Sequence, residues 1–219
     1  MIIIKYYAAM SETLPQKARP QRGRPRAFDR DQALEAAMRV FWEKGYVATS
    51  MTDLTTAMGI ASPSLYAAFG SKEDLFREAL DRYDSTFRRL AAEVLDSDAP
   101  VREQFERLLH LSAREDDRQT PAGCMMLMAC EQRAELSAEL AESLSSRRTV
   151  AVVLMEQRLH RAMDKGEVPT DIDARAIAEF YGTIQRGLSI SAKTGSSPEE
   201  LRSVITSSMA VWNTLIRTS

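Results

Sequence analysis

The sequence predicts an all-α protein of about nine helices, and three observations predict that class. Apolar residues recur at three- and four-residue intervals along most of the chain, which is the spacing of one helix face. Ser, Thr or Asp precedes many of these runs and Gly follows several of them, as is typical of helix starts and ends. No stretch alternates apolar and polar residues in the way a half-buried strand does.

Composition and charge narrow the class of protein. Of the 219 residues, 44% are hydrophobic and 27% are charged, which is ordinary for a globular domain. The formal net charge is only −2, but residues 1–70 carry nine Lys or Arg against six Asp or Glu, whereas residues 71–219 carry twenty against twenty-five. A basic first part and an acidic remainder indicate that only the first part meets the phosphates of a nucleic acid.

Few residues suit a metal, disulfide or membrane role. Two cysteines cannot form a disulfide scaffold, and no run approaches the roughly 18 apolar residues that cross a membrane. No cofactor motif is present, and His110 and His160 stand apart from other metal-ligand residue types. We therefore expect a cytoplasmic protein without a cofactor or a metal site.

Residues 1–27 are predicted to form a flexible basic N-terminal arm. Pro15, Pro20 and Pro25 preclude a continuous helix. Basic side chains recur through this segment, and those nearest the first predicted helix are Arg22, Arg24 and Arg26. Such an arm is either a solvated tail or a segment that crosses phosphates and reaches a DNA minor groove.

The first helix and the stretch that follows it predict a compact helical unit. Helix 1 is predicted at about 30–44 and ends at Gly45. Residues 50–72 then predict two short helices, the first ended by Gly59 and the second begun by Ser62 as a cap with Pro63 behind it. Helices of about seven residues are unstable alone in water, so they must pack on something larger. A helix-turn-helix unit, whose second helix enters the DNA major groove, fits this pattern. A short helical connection inside an all-α protein is the alternative.

The remaining helices follow from the same signals. Helix 4 is predicted at about 72–96, with an apolar stripe over five turns. Five more are predicted at about 101–114, around the apolar patch at 125–128, at about 137–165, after Asp173 and after Pro198.

The segment GRPRAFDRDQALEAAMRVFWEKGYVATSMTDLTTAMGIASPSLYAAFGSKEDLFREAL, residues 23–80, strongly resembles the N-terminal DNA-binding domain of TetR/AcrR-type transcriptional regulators. The resemblance includes the FWEKGY end of helix 1, the TSMTDLTTAMGIASPSLYAAFGSKEDLF core and the spacing between them, a highly specific combination. It implies a helix-turn-helix DNA-binding domain at 28–75 and a helical regulatory and dimerisation domain at 76–219. Residues 81–219 fit the family only in length and helix number.

The resemblance implies a DNA-binding regulator, expected to be a repressor that binds a pseudo-palindromic operator as a homodimer. It assigns Tyr66 and Lys72 to phosphates, and hydroxyl groups near the start of helix 2 suit further phosphates. The predicted DNA contacts are Arg22, Arg24, Arg26, Thr49, Ser50, Thr52, Ser62, Pro63, Ser64, Tyr66 and Lys72. The second short helix lacks Arg, Lys, Asn and Gln, so we expect it to depend on DNA shape, water and the arm more than on bidentate base contacts.

In the second domain the resemblance implies a cavity for a small-molecule inducer that releases the operator. Its predicted lining residues are Phe105, Leu109, Met125, Met128, Met155, Phe180, Tyr181 and Ile184. The family dimerises through its last two long helices, and the predicted interface residues are Gly182, Leu188, Leu201, Trp212 and Leu215. A core within one protomer is the alternative for both sets.

Other functions stay open on the sequence alone. Cys124 follows Gly123 at a predicted helix start, where the positive end of the helix dipole favours a thiolate, so a redox- or electrophile-responsive regulator is one alternative. A DNA-binding protein without a ligand is another. An enzyme is not expected, because no nucleophile–base pair or phosphate-binding loop is present.

Overall fold

The computed structural model describes residues 28–113, 121–147 and 149–217, and every regular element within those ranges is a helix. This confirms the predicted all-α class. The predicted arm at 1–27, with Arg22, Arg24 and Arg26, lies outside the described residues. In chain order the helices are α1 (Arg30–Ala48), α2 (Met51–Met58), α3 (Ser62–Phe69), α4 (Lys72–Leu95), α5 (Val101–Ala113), α6 (Met125–Glu131), α7 (Ala138–Arg147), α8 (Val150–Asp164), α9 (Ala174–Lys193), α10 (Pro198–Ala210) and α11 (Trp212–Leu215). A single 3₁₀ turn, Arg133–Glu135, joins α6 to α7.

Local capping interactions set the ends of the short helices and the start of α4. Ser71 Oγ accepts a hydrogen bond from Asp74 N, and Asp74 Oδ2 accepts one from Ser71 N, both at 3.0 Å, so the first turn of α4 is closed on both sides. Gly59 ends α2 in the predicted left-handed conformation (φ 64°, ψ 29°). The start of α3 differs from the prediction. Its N-cap is Ala61, and Ser62 is the first residue of the helix rather than its cap.

Two hydrophobic cores share α4. The N-terminal core combines α1, α2, α3 and the first half of α4 with apolar residues of α6 and α7. The second core combines the other half of α4 with α5, α8, α9, α10 and α11. The domain boundary predicted between residues 75 and 76 therefore falls inside α4, and it stays a prediction.

The long helix predicted at 137–165 is two helices, α7 and α8. Leu140 and Leu144 of α7 are buried in the N-terminal core, whereas Met155 and Leu159 of α8 are buried in the second core. Each half is amphipathic, so the sequence pattern runs through the break. The two apolar faces nevertheless meet different partners.

Candidate DNA interface and regulatory cavity

The turn from α2 to α3 exposes a small surface of uncharged side chains. Tyr66 on α3 is 51% exposed, while Ser64 is half-buried. The other predicted contacts with exposed side chains on α2 and α3 are Thr52, Ser62 and Pro63. On the opposite face of α3, Leu65 and Phe69 are buried in the N-terminal core. One face of α3 is therefore free for DNA, and the other fixes the helix against α1 and α4.

Two predicted phosphate contacts are already bonded within the protein. Thr49 is only 2% exposed, and Thr49 Oγ1 donates to Gly45 O at 2.6 Å. Ser50 Oγ donates to Asp53 Oδ2 at 2.7 Å and accepts from Asp53 N at 3.0 Å. Hydrogen bonds from Lys44 and Ser50 hold the pKa of Asp53 well below its ordinary range. The Thr49 side chain is therefore buried away from the surface, and the Ser50 side chain caps α2.

Lys72, at the start of α4, lies against an aromatic ring. Lys72 Nζ is 4.5 Å from the centre of the Tyr46 ring, an arrangement in which the cation is attracted to the face of the ring. The Tyr46 ring in turn lies 5.0 Å from that of Phe76, measured between ring centres. Partial burial lowers the pKa of Lys72, and burial together with the charge of Glu73 raises the pKa of Tyr46. Tyr46 therefore fixes the position of a cation at the edge of the helix-turn-helix unit.

A partly enclosed cavity of about 70 Å³ lies where α4, α5, α6, α7, α8 and α9 meet. Its wall is made of Tyr83, Asp84, Phe87, Leu111, Ser112, Gly123, Cys124, Met126, Leu127, Arg147, Val150, Ala151, Gln185, Arg186 and Ser189. A dry cavity of about 150 Å³ admits benzene, and drug-sized ligands occupy about 300 Å³ or more. A metabolite of ordinary size can therefore enter only if the surrounding helices separate.

The cavity wall also includes three charged side chains, Asp84, Arg147 and Arg186. Arg147 and Asp84 are both part of ion pairs, Arg147 with Asp81 at 2.6 Å and Asp84 with Arg88 at 2.8 Å. Arg186 adds a second cation to the wall. A mostly apolar space with a few convergent polar groups is the usual make-up of a small-molecule site.

Cys124 belongs to the wall of this cavity. It is the N-cap residue of α6, and its side chain is half-buried with no disulfide partner. It also borders a second groove, of about 120 Å³, that runs between α6 and the end of α9, where Lys193 lies. Cys130 is half-buried as well, but it does not line the cavity.

The eight residues predicted to line a ligand site do not line this cavity. Phe105 and Tyr181 instead pack edge to face in the second core, with 5.3 Å between ring centres, and both rings lie against Trp212. Tyr181 Oη donates to Ser208 O at 3.2 Å, and burial raises the pKa of Tyr181 to about 12. Leu109 and Met155 are fully buried in the same core. Sequence analysis missed Tyr83 and Phe87, although both belong to the apolar stripe it found on helix 4.

Four of the five residues predicted at the dimer interface are buried within the protomer: Gly182, Leu188, Leu201 and Trp212. Gly182 packs so closely on α8 that a Cβ atom there would come within 2.5 Å of Val152 Cγ2. Leu215 is half-buried. The large apolar side chains that α9 and α10 leave exposed, or that directly follow α10, are Ile190, Val204 and Val211.

Known proteins with this arrangement identify the family. The model for bacterial regulatory proteins of the tetR family matches residues 33–79, which span α1, α2, α3 and the start of α4. The HTH-type transcriptional repressor ComR of Escherichia coli K12 is 36% identical over 213 residues, covering 95% of this chain and 100% of ComR. The chain belongs to the tetR family.

Further TetR-family proteins cover most of the chain. The HTH-type transcriptional repressor BdcR of E. coli K12 is 33% identical over 180 residues, covering 82% of this chain and 86% of BdcR. A cysteine mutant of the TetR family regulator CifR, solved in complex with 26-base-pair operator DNA, is 40% identical with a TM-score of 0.79, covering 87% of this chain and 100% of that chain. This chain is accordingly a DNA-binding transcriptional regulator of the repressor type, and not an enzyme.

Two structural findings bear on other roles. Across the residues that the structure describes, no helix is long and apolar enough to cross a membrane. In that same part of the chain, no group of three or more His, Cys, Asp or Glu side chains is placed to hold a metal ion.

Proposed function

We propose that this protein represses transcription as a homodimer on a pseudo-palindromic operator, and that a small molecule entering the α4–α9 cavity releases it. The observation that carries the proposal is that the cavity wall includes both α4 and α6. The helix α4 begins at Lys72 beside the DNA surface, and α6 contacts α1, so a ligand that separates these helices also moves the helix-turn-helix unit. A ligand that binds a second conformation better than the first shifts the population toward it.

On DNA, we expect Thr52, Ser62, Pro63 and Tyr66 to face the operator, with Lys72 on a phosphate. The family member CifR has been solved in complex with operator DNA, which supports DNA as the partner of this surface. Because α3 offers no Arg, Lys, Asn or Gln, base sequence should be selected largely through DNA shape. Scrambling operator positions outside the contacted bases tests this, and unchanged affinity would contradict it.

The release mechanism is tested by anisotropy of labelled DNA from the protein's own upstream region, screened against small apolar compounds. Phe87→Ala and Phe180→Ala form a matched pair, because both rings are half-buried against the second core but only Phe87 lines the cavity. We expect Phe87→Ala to change the potency of a releasing compound at least about tenfold and Phe180→Ala to leave it unchanged. If Phe180→Ala changes the potency and Phe87→Ala does not, the ligand binds at the residues predicted from sequence and not in this cavity. If no compound releases the operator, a DNA-binding protein without a ligand is the better description.

The homodimer is proposed to form through exposed surface of α9 and α10 around Ile190 and Val204. These side chains are 47% and 45% exposed in the protomer. Burying such apolar surface is the usual driving force of a stable dimer. Val204→Glu should produce monomers in sedimentation experiments, whereas Val153→Glu, at a similarly exposed valine of α8, should leave a dimer. A dimeric Val204→Glu protein would place the interface elsewhere.

A thiol-responsive regulator is the second candidate, because Cys124 lies in the cavity wall. Cys124 also borders the groove between α6 and the end of α9, from which a small reagent can approach the thiol without entering the cavity. N-ethylmaleimide should weaken operator binding by the wild type and by Cys130→Ser, and leave Cys124→Ser unaffected. Unchanged operator affinity of the alkylated wild type would rule this candidate out.

A further inference from the structure

Both ends of α6 are hydrogen-bonded to the last turns of α1. Before α6 begins, Gly123 O accepts from Trp42 Nε1 at 3.2 Å in a buried position. After it ends, Gln132 Oε1 accepts from Tyr46 N at 2.8 Å and from Val47 N at 3.3 Å. Between these contacts, α6 supplies cavity-wall residues. The same short helix is therefore part of the cavity and bonded to the DNA-binding domain.

These contacts lie at a break in α1. Gly45 has a non-helical backbone (φ 78°, ψ 173°), a conformation that is essentially restricted to glycine. In an uninterrupted helix Val47 N would donate to Glu43 O. Here Val47 N donates to Gln132 Oε1, and Glu43 O accepts from Lys193 Nζ of α9 at 3.0 Å. The donor and the acceptor of this missing helical hydrogen bond are thus both bonded instead to side chains from later in the chain: Val47 N to Gln132, and Glu43 O to Lys193.

The break leads directly to the proposed DNA surface. The residue whose amide Gln132 accepts, Tyr46, is the one whose ring holds Lys72. The fit is close, because a Cβ atom at Gly45 would lie 2.5 Å from Gln132 Nε2. A continuous series of contacts therefore joins Gln132 to Tyr46 and Tyr46 to Lys72.

We propose that Gln132 is a positioning residue through which α6 holds Tyr46 and Lys72 in the DNA-binding arrangement, and through which the cavity controls that arrangement. The second part rests on the proposed ligand-responsive function. The first part concerns operator affinity without any ligand, so the two can be judged separately.

Operator affinity and its salt dependence test the positioning role. Gln132→Leu keeps the size of the side chain but removes the acceptor, whereas Gln132→Glu keeps an acceptor oxygen. Gln157→Leu, at an exposed glutamine of α8, is the matched control. We expect Gln132→Leu to weaken operator binding about tenfold, because the hydrogen bonds from Tyr46 N and Val47 N, which fix the backbone beside the Tyr46 ring, are lost. We also expect the slope of log Kd against log salt to fall by about 0.9 for each Lys72 that leaves its phosphate.

Gln132→Glu should restore most of the affinity and slope, and Gln157→Leu should match the wild type. A purely structural role predicts a lower melting temperature for Gln132→Leu with the wild-type salt slope, and that outcome would overturn the proposal. So would wild-type affinity in Gln132→Leu.

A double-mutant cycle tests control by the cavity. Ala151→Phe places a ring in the cavity and takes the place of a ligand. We expect it to weaken operator binding in the wild-type background and to have little further effect in Gln132→Leu, because both changes act on the same contact. Equal effects in the two backgrounds would show that the cavity does not act through Gln132. No effect in either would contradict control by the cavity itself, while the positioning role would still be decided by Gln132→Leu alone.

Discussion

Replacing Lys72 by Ala should remove one phosphate contact from each protomer, and the structure allows the size of the effect to be worked out. Lys72 Nζ lies over the Tyr46 ring, so the side chain is already ordered before DNA binds. Each phosphate contact contributes about 0.9 to the slope of log Kd against log salt, so a dimer that loses two contacts loses about 1.8. When the salt is raised fourfold, from 50 to 200 mM, the Kd of each protein rises by some factor. That factor should be about 12 times smaller for the variant than for the wild type.

The assay is anisotropy of a labelled operator at five or more salt concentrations. Lys165→Ala is the control, since Lys165 is an exposed lysine at the end of α8, beside residues of the second core rather than the helix-turn-helix unit. Tyr46→Leu should give an intermediate slope, because it leaves the charge of Lys72 but removes the ring that orders it. An unchanged slope in Lys72→Ala would mean that Lys72 contacts no phosphate, and the orientation proposed for α4 on DNA would be wrong.

Three further predictions concern the break in α1 and the buried ion pair of the second core. Gly45→Ala should cost about 1–3 kcal/mol in the free energy of unfolding and weaken operator binding, because it strains the backbone and displaces Gln132; wild-type melting and binding would refute this. Glu167→Ala should lower the melting temperature more than Arg158→Met, since the first leaves a 4%-exposed guanidinium without its carboxylate and the second lets a 27%-exposed carboxylate return to water; the reverse order would refute it. Burial acts to raise the pKa of Glu167, but hydrogen bonds from Arg158 and Val101 N and nearby positive charge bring it below its ordinary value. Stability from this group is therefore complete above its unfolded pKa and is lost as the pH falls through the lower folded pKa, so Glu167→Gln should unfold with a weaker dependence on acid pH in urea titrations.

Sequence reasoning was accurate where the cause of structure is local. The helix end at Gly59 follows from residue types a few positions apart, and the structure confirms it with a left-handed backbone there. The prediction for Ser62 shows the limit even of local signals. Serine before proline suits a cap, but Ala61 takes that position and the hydroxyl of Ser62 stays exposed.

The two candidate sites differ in the same respect: the DNA contacts follow from a local motif, and the ligand contacts depend on how helices pack. Tyr66 and Lys72 are predicted as phosphate contacts because the family's motif is contiguous; Tyr66 is exposed, and Lys72 is half-buried against the Tyr46 ring. Phe105 and Tyr181 were chosen as ligand contacts because they are large and apolar, but such residues fill a core as readily as they line a cavity. Nothing in a periodic pattern distinguishes the two, because the difference lies in whether another helix covers the same face.

The sequence by itself therefore determined the helical class, the helix-turn-helix unit and its family, since spacing, caps and a contiguous motif act over a few residues. Only the tertiary structure decided that the cavity lies between α4 and α9, that Thr49 is buried, and that α7 and α8 serve different cores. It also decided that Gln132 bonds to Tyr46, a residue 86 positions earlier in the chain. Such contacts depend on how helices pack, and helix faces that look alike in sequence can meet quite different neighbours.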